Sequence, residues 1–222
     1  MKRQKYWLAS NSPRRKEMLS WLGWDFTAAP ADIDESRRPG EAARDYVTRL
    51  AAEKAERPVM DARGEDIIIA ADTIVVLDEE LIGKPEDEND ARQILYQLRG
   101  RDHFVMTGIA VRRKSDNQLT QDICVSCVHM RDYAEKEIEE YIASGDPMDK
   151  AGAYAIQNPD FAPAEDFSGC YASVMGLPMC HMMRTLTALT GEAFPGAAEI
   201  CKNHLKYNCP ITKKVMAGEQ VG

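Results

Sequence analysis

Ile67-Ile68-Ile69-Ala70-Ala71-Asp72-Thr73-Ile74-Val75-Val76-Leu77 is the stretch on which the fold turns. Ile67 to Ala71 and Thr73 to Leu77 are rich in β-branched residues and read as buried strand, followed by the acidic turn Asp78-Glu79-Glu80. These apolar runs fall far short of the roughly 20 residues a membrane-spanning helix needs. Asp72 interrupts them, and an unpaired carboxylate is costly to bury. It therefore needs a partner: a divalent metal or a water to be deprotonated on one reading, a nearby lysine or a turn cap on the other.

Outward from this strand, the chain alternates strand and helix signals. Residues 5 to 9 read as a short strand, after which Ser12 is an N-cap and Pro13 the first residue of a helix carrying Met18, Leu19 and Leu22, ended by Gly23. Arg44 to Ala55 places Tyr46, Val47, Leu50 and Ala51 at helical spacing, with Pro58 as its stop. Asp87 to Leu98, Ala134 to Ser144 and Pro178 to Thr190 read as further helices, closed by Gly100, Gly145 and Gly191. Phe104 to Arg113 and Leu119 to Met130 read as two long strands joined through Ser115-Asp116-Asn117. With no internal repeat, the expected class is α/β: a mixed sheet with helices on its faces.

At 222 residues and 44% hydrophobic content the chain can bury a sizeable core. The net charge of −8 argues against a nucleic-acid binder. With no transmembrane segment and no signal-peptide apolar region after Met1 to Lys5, a cytoplasmic protein with reduced thiols is expected from the six cysteines. Cys124 and Cys127 form a C-x-x-C, but residues three apart on a strand point to opposite faces, which argues against zinc or redox use. Cys201, His204 and Cys209, with Cys180 or His181, offer soft ligands near the end of the chain. Their spacing fits no standard zinc pattern, so stray thiols on a docked tail is the better reading.

Several segments carry chemistry. Ser10-Asn11-Ser12-Pro13-Arg14-Arg15 sets two hydroxyls and two guanidinium groups at a strand-to-helix turn, where free N–H groups and the helix dipole favour an anion. Arginine forks suit phosphate, although a capped helix with two solvated arginines has the same sequence. Gly83-Lys84-Pro85 fixes a lysine on a stiff loop, a point charge for phosphate. Asp32-Ile33-Asp34-Glu35 is an acidic loop that could join Asp72 in supplying the oxygen ligands that magnesium or manganese prefers. Lys54, inside a helix, reads on its own as solvated. The stretch from Gly145 to Gln157, with its small residues and charged pair, reads as a loop shaped for close approach to a ligand.

Taken in order, these segments resemble the Maf family of nucleotide pyrophosphatases from residue 6 to about 190. The resemblance rests on Ser10-Asn11-Ser12-Pro13-Arg14-Arg15, Asp72-Thr73-Ile74-Val75, Gly83-Lys84-Pro85, Asp149 to Gln157 and Val174-Met175-Gly176-Leu177-Pro178, with Glu35 and Lys54 matching singly. It implies a twisted mixed sheet of the inosine-triphosphatase-like kind, in two lobes about a central cleft, over residues 1–191, with 192–222 a tail of unknown role. It also implies cleavage of dTTP or UTP, or of modified nucleotides, to monophosphate and pyrophosphate, by a homodimer. On this resemblance Asp72 is the general base, acting with Glu35. Ser10, Ser12, Arg14, Arg15, Lys54 and Lys84 hold the phosphates, and Arg15, Thr73 and Gln157 select the base. Glu35 and Asp72 bind Mg2+ or Mn2+. The glycine that usually follows the glutamine is Asn158 here, and Asn158-Pro159-Asp160 makes a stiffer turn. A rival reading is a regulatory protein that inhibits septum formation through a partner.

Overall fold

In the computed structural model, which describes residues 5–57 and 59–222, the chain runs β1 (Tyr6–Leu8), α1 (Pro13–Ser20), β2 (Phe26–Ala28), α2 (Ala43–Glu56), β3 (Ile67–Leu77), β4 (Glu80–Ile82), α3 (Glu88–Leu98), β5 (Asp102–Arg113), β6 (Leu119–Met130), α4 (Glu135–Ala143), β7 (Ala164–Ser168), α5 (Tyr171–Val174), α6 (Met179–Thr190), α7 (Ala197–Leu205) and α8 (Thr212–Met216). Pro58, the expected stop of α2, lies outside the described residues. The sheet order is β2-β1-β3-β5-β6-β7, with β4 folded back on β3. β1 lies parallel to β2 and β3, whereas β3, β5, β6 and β7 are successively antiparallel. This is the mixed α/β sheet expected from the alternating pattern.

Period-2 alternation along β3 sorts its side chains onto two faces. Ile68, Ala70, Ile74 and Val76 face α2, packing with Val47, Ala51 and Ala55. Gly108 of β5 permits this approach, because a Cβ there would stand 2.5 Å from the Val47 carbonyl oxygen. On the opposite face, Ile67, Ile69 and Ala71 pack with Met18 and Leu19 of α1 and Leu186 of α6. Farther along that face, Val75 and Leu77 pack instead with Ile94 and Leu95 of α3 and Ile138 and Ile142 of α4. Each large aliphatic side chain fully buried in these clusters contributes about 1.5–3 kcal/mol. The two helix groups pack on successive stretches of this face, and Thr73 lies between those stretches.

Several elements escaped the sequence reading, the three-residue β2 and the four-residue α5 among them. Asp78 and Glu79 take positive φ in a tight turn, and only three residues of β4 follow. β7, Ala164–Ser168, is an edge strand without apolar alternation. The tail forms α7 and α8, and Ala197, Cys201 and Val215 join the same core cluster as Leu8 and Ile67. Arg184 of α6 clamps it, pairing with Asp122 at 2.8 and 2.9 Å while donating to the carbonyls of Val215 (3.2 Å) and Glu219 (2.6 Å). Of the tail's soft ligands, His204 stacks on Trp21, His181 pairs with the Val221 carbonyl, and Cys180 contacts both Thr212 and Cys209. Cys124 is buried and Cys127 partly exposed, on opposite faces of β6.

Candidate active site

The site begins as a gap in the sheet. β1 pairs with β3 over Ile67–Ile69 and β4 pairs with it over Val75–Leu77. Between them Ala70 to Ile74 have a strand partner only on the β5 side among the described residues. The turn after β1, the loop after β4 and the 145–157 loop close round this gap and enclose a cleft of about 600 Å³, a size suited to a small-molecule ligand. Five cationic side chains line it (Arg14, Arg15, Lys54, Lys84 and Lys150) against three carboxylates (Glu35, Asp72 and Asp149). On a chain of net charge −8 the cleft therefore concentrates positive charge, which draws in anions.

The partner of Asp72 is Lys54. Asp72 points to the α2 face, where the Lys54 ammonium lies 2.5 Å from its Oδ1 and 2.7 Å from Oε1 of Glu35. Lys54 is thus no solvated helix lysine: it is only 9% exposed, carried on the last turn of α2. The Glu35 loop is pinned to α2 as well. Tyr46 donates its hydroxyl to the Glu35 carbonyl at 2.6 Å, and Arg49 donates to the Ser36 carbonyl at 3.1 Å while gripping Glu41. Asp34 caps its own loop through Ser36 and, like Asp32, is absent from the cleft lining.

Across the strand, Thr73 faces α1. Ser12 is the N-cap of α1, accepting from the Arg15 N–H at 3.4 Å, and Pro13 fixes the first turn. Ser10 Oγ accepts from the Ser12 N–H at 3.2 Å. Arg14 reaches Asp149 at 3.4 Å. Arg15 turns the other way, donating from Nε to the Gly176 carbonyl (2.8 Å) and from Nη2 to Thr73 Oγ1 (3.0 Å). Burial lowers its guanidinium pKa from the ordinary value, with the Asp72 charge opposing the shift. It stays cationic. Lys84 and Gln157 line the cleft, and the Gly152 N–H ties the 145–157 loop to the Gly83 carbonyl at 2.9 Å.

Residues that sequence reasoning missed hold this arrangement in place. Thr107, fully buried opposite Thr73, is hydrogen-bonded to it at 3.0 Å. His103 is hydrogen-bonded to the hydroxyl of Tyr154, a cleft residue, at 2.8 Å, and burial pushes its pKa down to about 4. Lys150, buried, binds Asp146 at 2.9 Å and Asp149 at 2.6 Å. A threonine or histidine inside a strand has no sequence signature of its own, whereas Tyr46 and Lys54 lie eight residues apart on a helix and could have been placed on one face by periodicity.

Whether Glu35 and Asp72 fit a divalent cation can be judged from their donors. Both carboxylates converge on a single point, now the Lys54 ammonium, and offer hard oxygen ligands. Among the described residues no group of three or more His, Cys, Asp or Glu is set to hold a metal. Two carboxylates nevertheless suit Mg2+ or Mn2+, which keep several waters and take the rest of their shell from substrate phosphates.

The chain has well-matched relatives. A dTTP/UTP pyrophosphatase from Hahella chejuensis is 46% identical over 182 residues, covering 81% of this chain and 89% of the relative. One from Dictyoglomus thermophilum is 44% identical over 187 residues, 82% and 94% of the two chains. Another from Chromobacterium violaceum is 46% identical over 193 residues, 85% and 96%. Among solved structures, a nucleoside-triphosphatase / dITP/XTP pyrophosphatase from Mycobacterium abscessus covers 59% of this chain and 76% of its own at 14% identity and a TM-score of 0.38. Residues 5–189 match the Maf-like protein family, nearly the whole chain up to α7, and on that match and these identities the chain belongs to the Maf-like family.

Proposed function

We propose that the protein hydrolyses dTTP and UTP between the α- and β-phosphates, leaving the monophosphate and releasing pyrophosphate, as housekeeping of the nucleotide pool. The observation that carries this reading is the buried Lys54 ammonium set between Asp72 and Glu35 at the edge of a cationic cleft. The names of the relatives, dTTP/UTP pyrophosphatases at 44–46% identity, support the substrate.

A nucleoside triphosphate carries close to four negative charges that repel an attacking hydroxide, so the site must first neutralise them. Arg14, Lys54 and Lys84 do this for the phosphates, with Ser10, Ser12 and the first N–H groups of α1 as donors. Arg15 spends two of its donors on Gly176 and Thr73, which favours its role in reading the base, with Gln157 across the cleft. Asp72 takes the proton of the water that attacks the α-phosphorus, and Glu35 holds Lys54 in register beside it. A divalent cation held by Asp72 and Glu35 would add neutralisation of the phosphate charge. We assign this chemistry to residues 1–191, with 192–222 as a buttress for α6, and expect a homodimer, which the solution mass tests.

Pyrophosphate release from dTTP, UTP, CTP, GTP and ATP with magnesium or manganese tests the assignment. Release from dTTP and UTP, with labelled water entering the monophosphate, is the expected result. Label in pyrophosphate would rule out attack at the α-phosphorus.

A further inference from the structure

We infer that Thr107, a buried residue outside the cleft lining, fixes the Thr73 hydroxyl as a hydrogen-bond acceptor towards the cleft, and that the site thereby selects the imide edge of uracil or thymine over cytosine. The inference rests on the nucleotide reading above and goes beyond it by assigning the origin of base choice.

Counting hydrogens fixes the direction of each hydrogen bond. Thr107 Oγ1 lies 2.9 Å from the Ser173 carbonyl oxygen. A carbonyl cannot donate, so the single hydroxyl hydrogen of Thr107 must point there. Thr107 Oγ1 also lies 3.0 Å from Thr73 Oγ1. Its own hydrogen being used, Thr107 accepts in that contact, and the hydrogen must come from Thr73. Thr73 Oγ1 in turn receives an N–H from Arg15 Nη2 at 3.0 Å, and a guanidinium only donates. The chain therefore runs in one direction, from Arg15 through Thr73 and Thr107 to Ser173.

Thr73 is left with one lone pair and no free hydrogen. Thr73 lines the cleft and is partly exposed, so that lone pair is what a ligand meets. Gly176 keeps the approach open: a Cβ there would stand 3.5 Å from Thr73 Oγ1 and 3.4 Å from Arg15 Nε. The ligand edge beside Arg15 and Thr73 must then carry a donor next to an acceptor. The imide of uracil and thymine has its N–H between two carbonyls and meets this demand whichever carbonyl faces Arg15. The ring nitrogen of cytosine at the same place is an acceptor and would meet a lone pair; its one edge donor is the exocyclic amine, which could reach Thr73 only if the base slid one position along its edge, out of the register the imide takes. Thr107 is a positioning residue here, acting through Thr73.

Thr107→Val is close to isosteric and leaves the Ser173 carbonyl with its other partner, the Gly176 N–H at 2.8 Å. It frees the Thr73 hydrogen to turn towards the cleft. Calorimetric binding of UMP and CMP to the wild type, Thr107→Val and Thr107→Ser isolates base choice from catalysis. The wild type should prefer UMP by roughly tenfold or more, as one well-placed base-edge pair allows. Thr107→Val should bring the two within about threefold, and Thr107→Ser, which keeps the hydroxyl, should restore the preference. No preference in the wild type, an unchanged preference in Thr107→Val, or a Thr107→Ser variant that behaves like Thr107→Val would each overturn the inference. Failure of UTP hydrolysis with the binding pattern intact would instead remove the pyrophosphatase reading and leave this one standing.

Discussion

Asp72 and Thr73 are consecutive residues of β3, yet they serve opposite faces of the sheet and are held by opposite kinds of force. Asp72 meets the α2 face in a cluster of full charges, with one ammonium shared by two carboxylates. Thr73 meets the α1 face in a one-way chain of hydrogen bonds ending on a buried carbonyl. Ion pairs at a cleft can exchange partners when a polyanion arrives, because attraction between charges is weakly directional. Hydrogen bonds to buried hydroxyls keep their direction. The strand's alternation thus separates a face suited to moving protons and charge from a face suited to reading a shape that must not change.

The largest effect should come from breaking the first face alone. Asp72→Asn keeps the side-chain volume and removes the proposed base, so kcat for pyrophosphate release should fall about 10²- to 10⁴-fold. The ratio of UTP to CTP turnover in the residual activity should stay at the wild-type value. A ratio that moves with the rate would mean that the two faces are not separable.

Removal of residues 192–222 strikes the second face from behind. It takes Ala197, Cys201 and Val215 out of the cluster that packs α6 and α1 against β3, and strips Arg184 of two carbonyl partners. Denaturant unfolding should show a loss of at least about 3–5 kcal/mol, the scale of emptying even one large buried side chain from a core. Glu35, Lys54 and Asp72 lie on the other face and should keep their arrangement wherever the shortened chain still folds. Equal stability of the two chains would show that the tail does not brace α6.

Much of this plan was legible in the sequence, for reasons of strength and spacing. The buried strand and the capped α1 follow from apolar runs and from a Ser-Pro helix start. The pairing of Lys54 with Asp72 did not follow, since the two are eighteen residues apart and only the packing of α2 on β3 brings them together. Thr107 was illegible for a related reason: a threonine is ordinary in a strand, and its meaning comes from the register that sets it opposite Thr73. The tail helices were missed because nine- and five-residue helices depend on tertiary packing more than on propensity.

Acid offers a third way to part the faces. His103 lies on the same face of β5 as Thr107, buried and bonded to Tyr154, with its pKa pushed down to about 4 from an ordinary 6.5. Between those values the unfolded chain binds a proton that the folded chain refuses. The stability this group contributes is therefore complete above pH 6.5 and falls as the pH drops from 6.5 towards 4, by about 3 kcal/mol in all. Unfolding free energies at pH 7 and pH 4.5 should show that slope in the wild type and a shallower one in His103→Gln. Parallel slopes would mean that His103 is not held neutral.

The smallest expected effect is at Asn158, where the family's usual glycine is replaced. Its Oδ1 accepts the N–H groups of Asp160 (3.1 Å) and Phe161 (2.8 Å), and its Nδ2 donates to Asp146 at 3.1 Å. Asp146 in turn holds Lys150 and accepts from Tyr141, so Asn158 ties the turn after Gln157 to the other end of the 145–157 loop. Asn158→Gly removes all three bonds from a partly exposed position and gives the chain more freedom next to Gln157. Because Asp146 keeps its other partners, the cost should be about 1 kcal/mol of stability. KM for dTTP should rise about two- to fivefold with kcat nearly unchanged, since Gln157 would have to be ordered on binding while Asp72 and Lys54 stay where they are. A fall in kcat with KM constant would place Asn158 on the side of the chemistry and blur the division that β3 draws between its two faces.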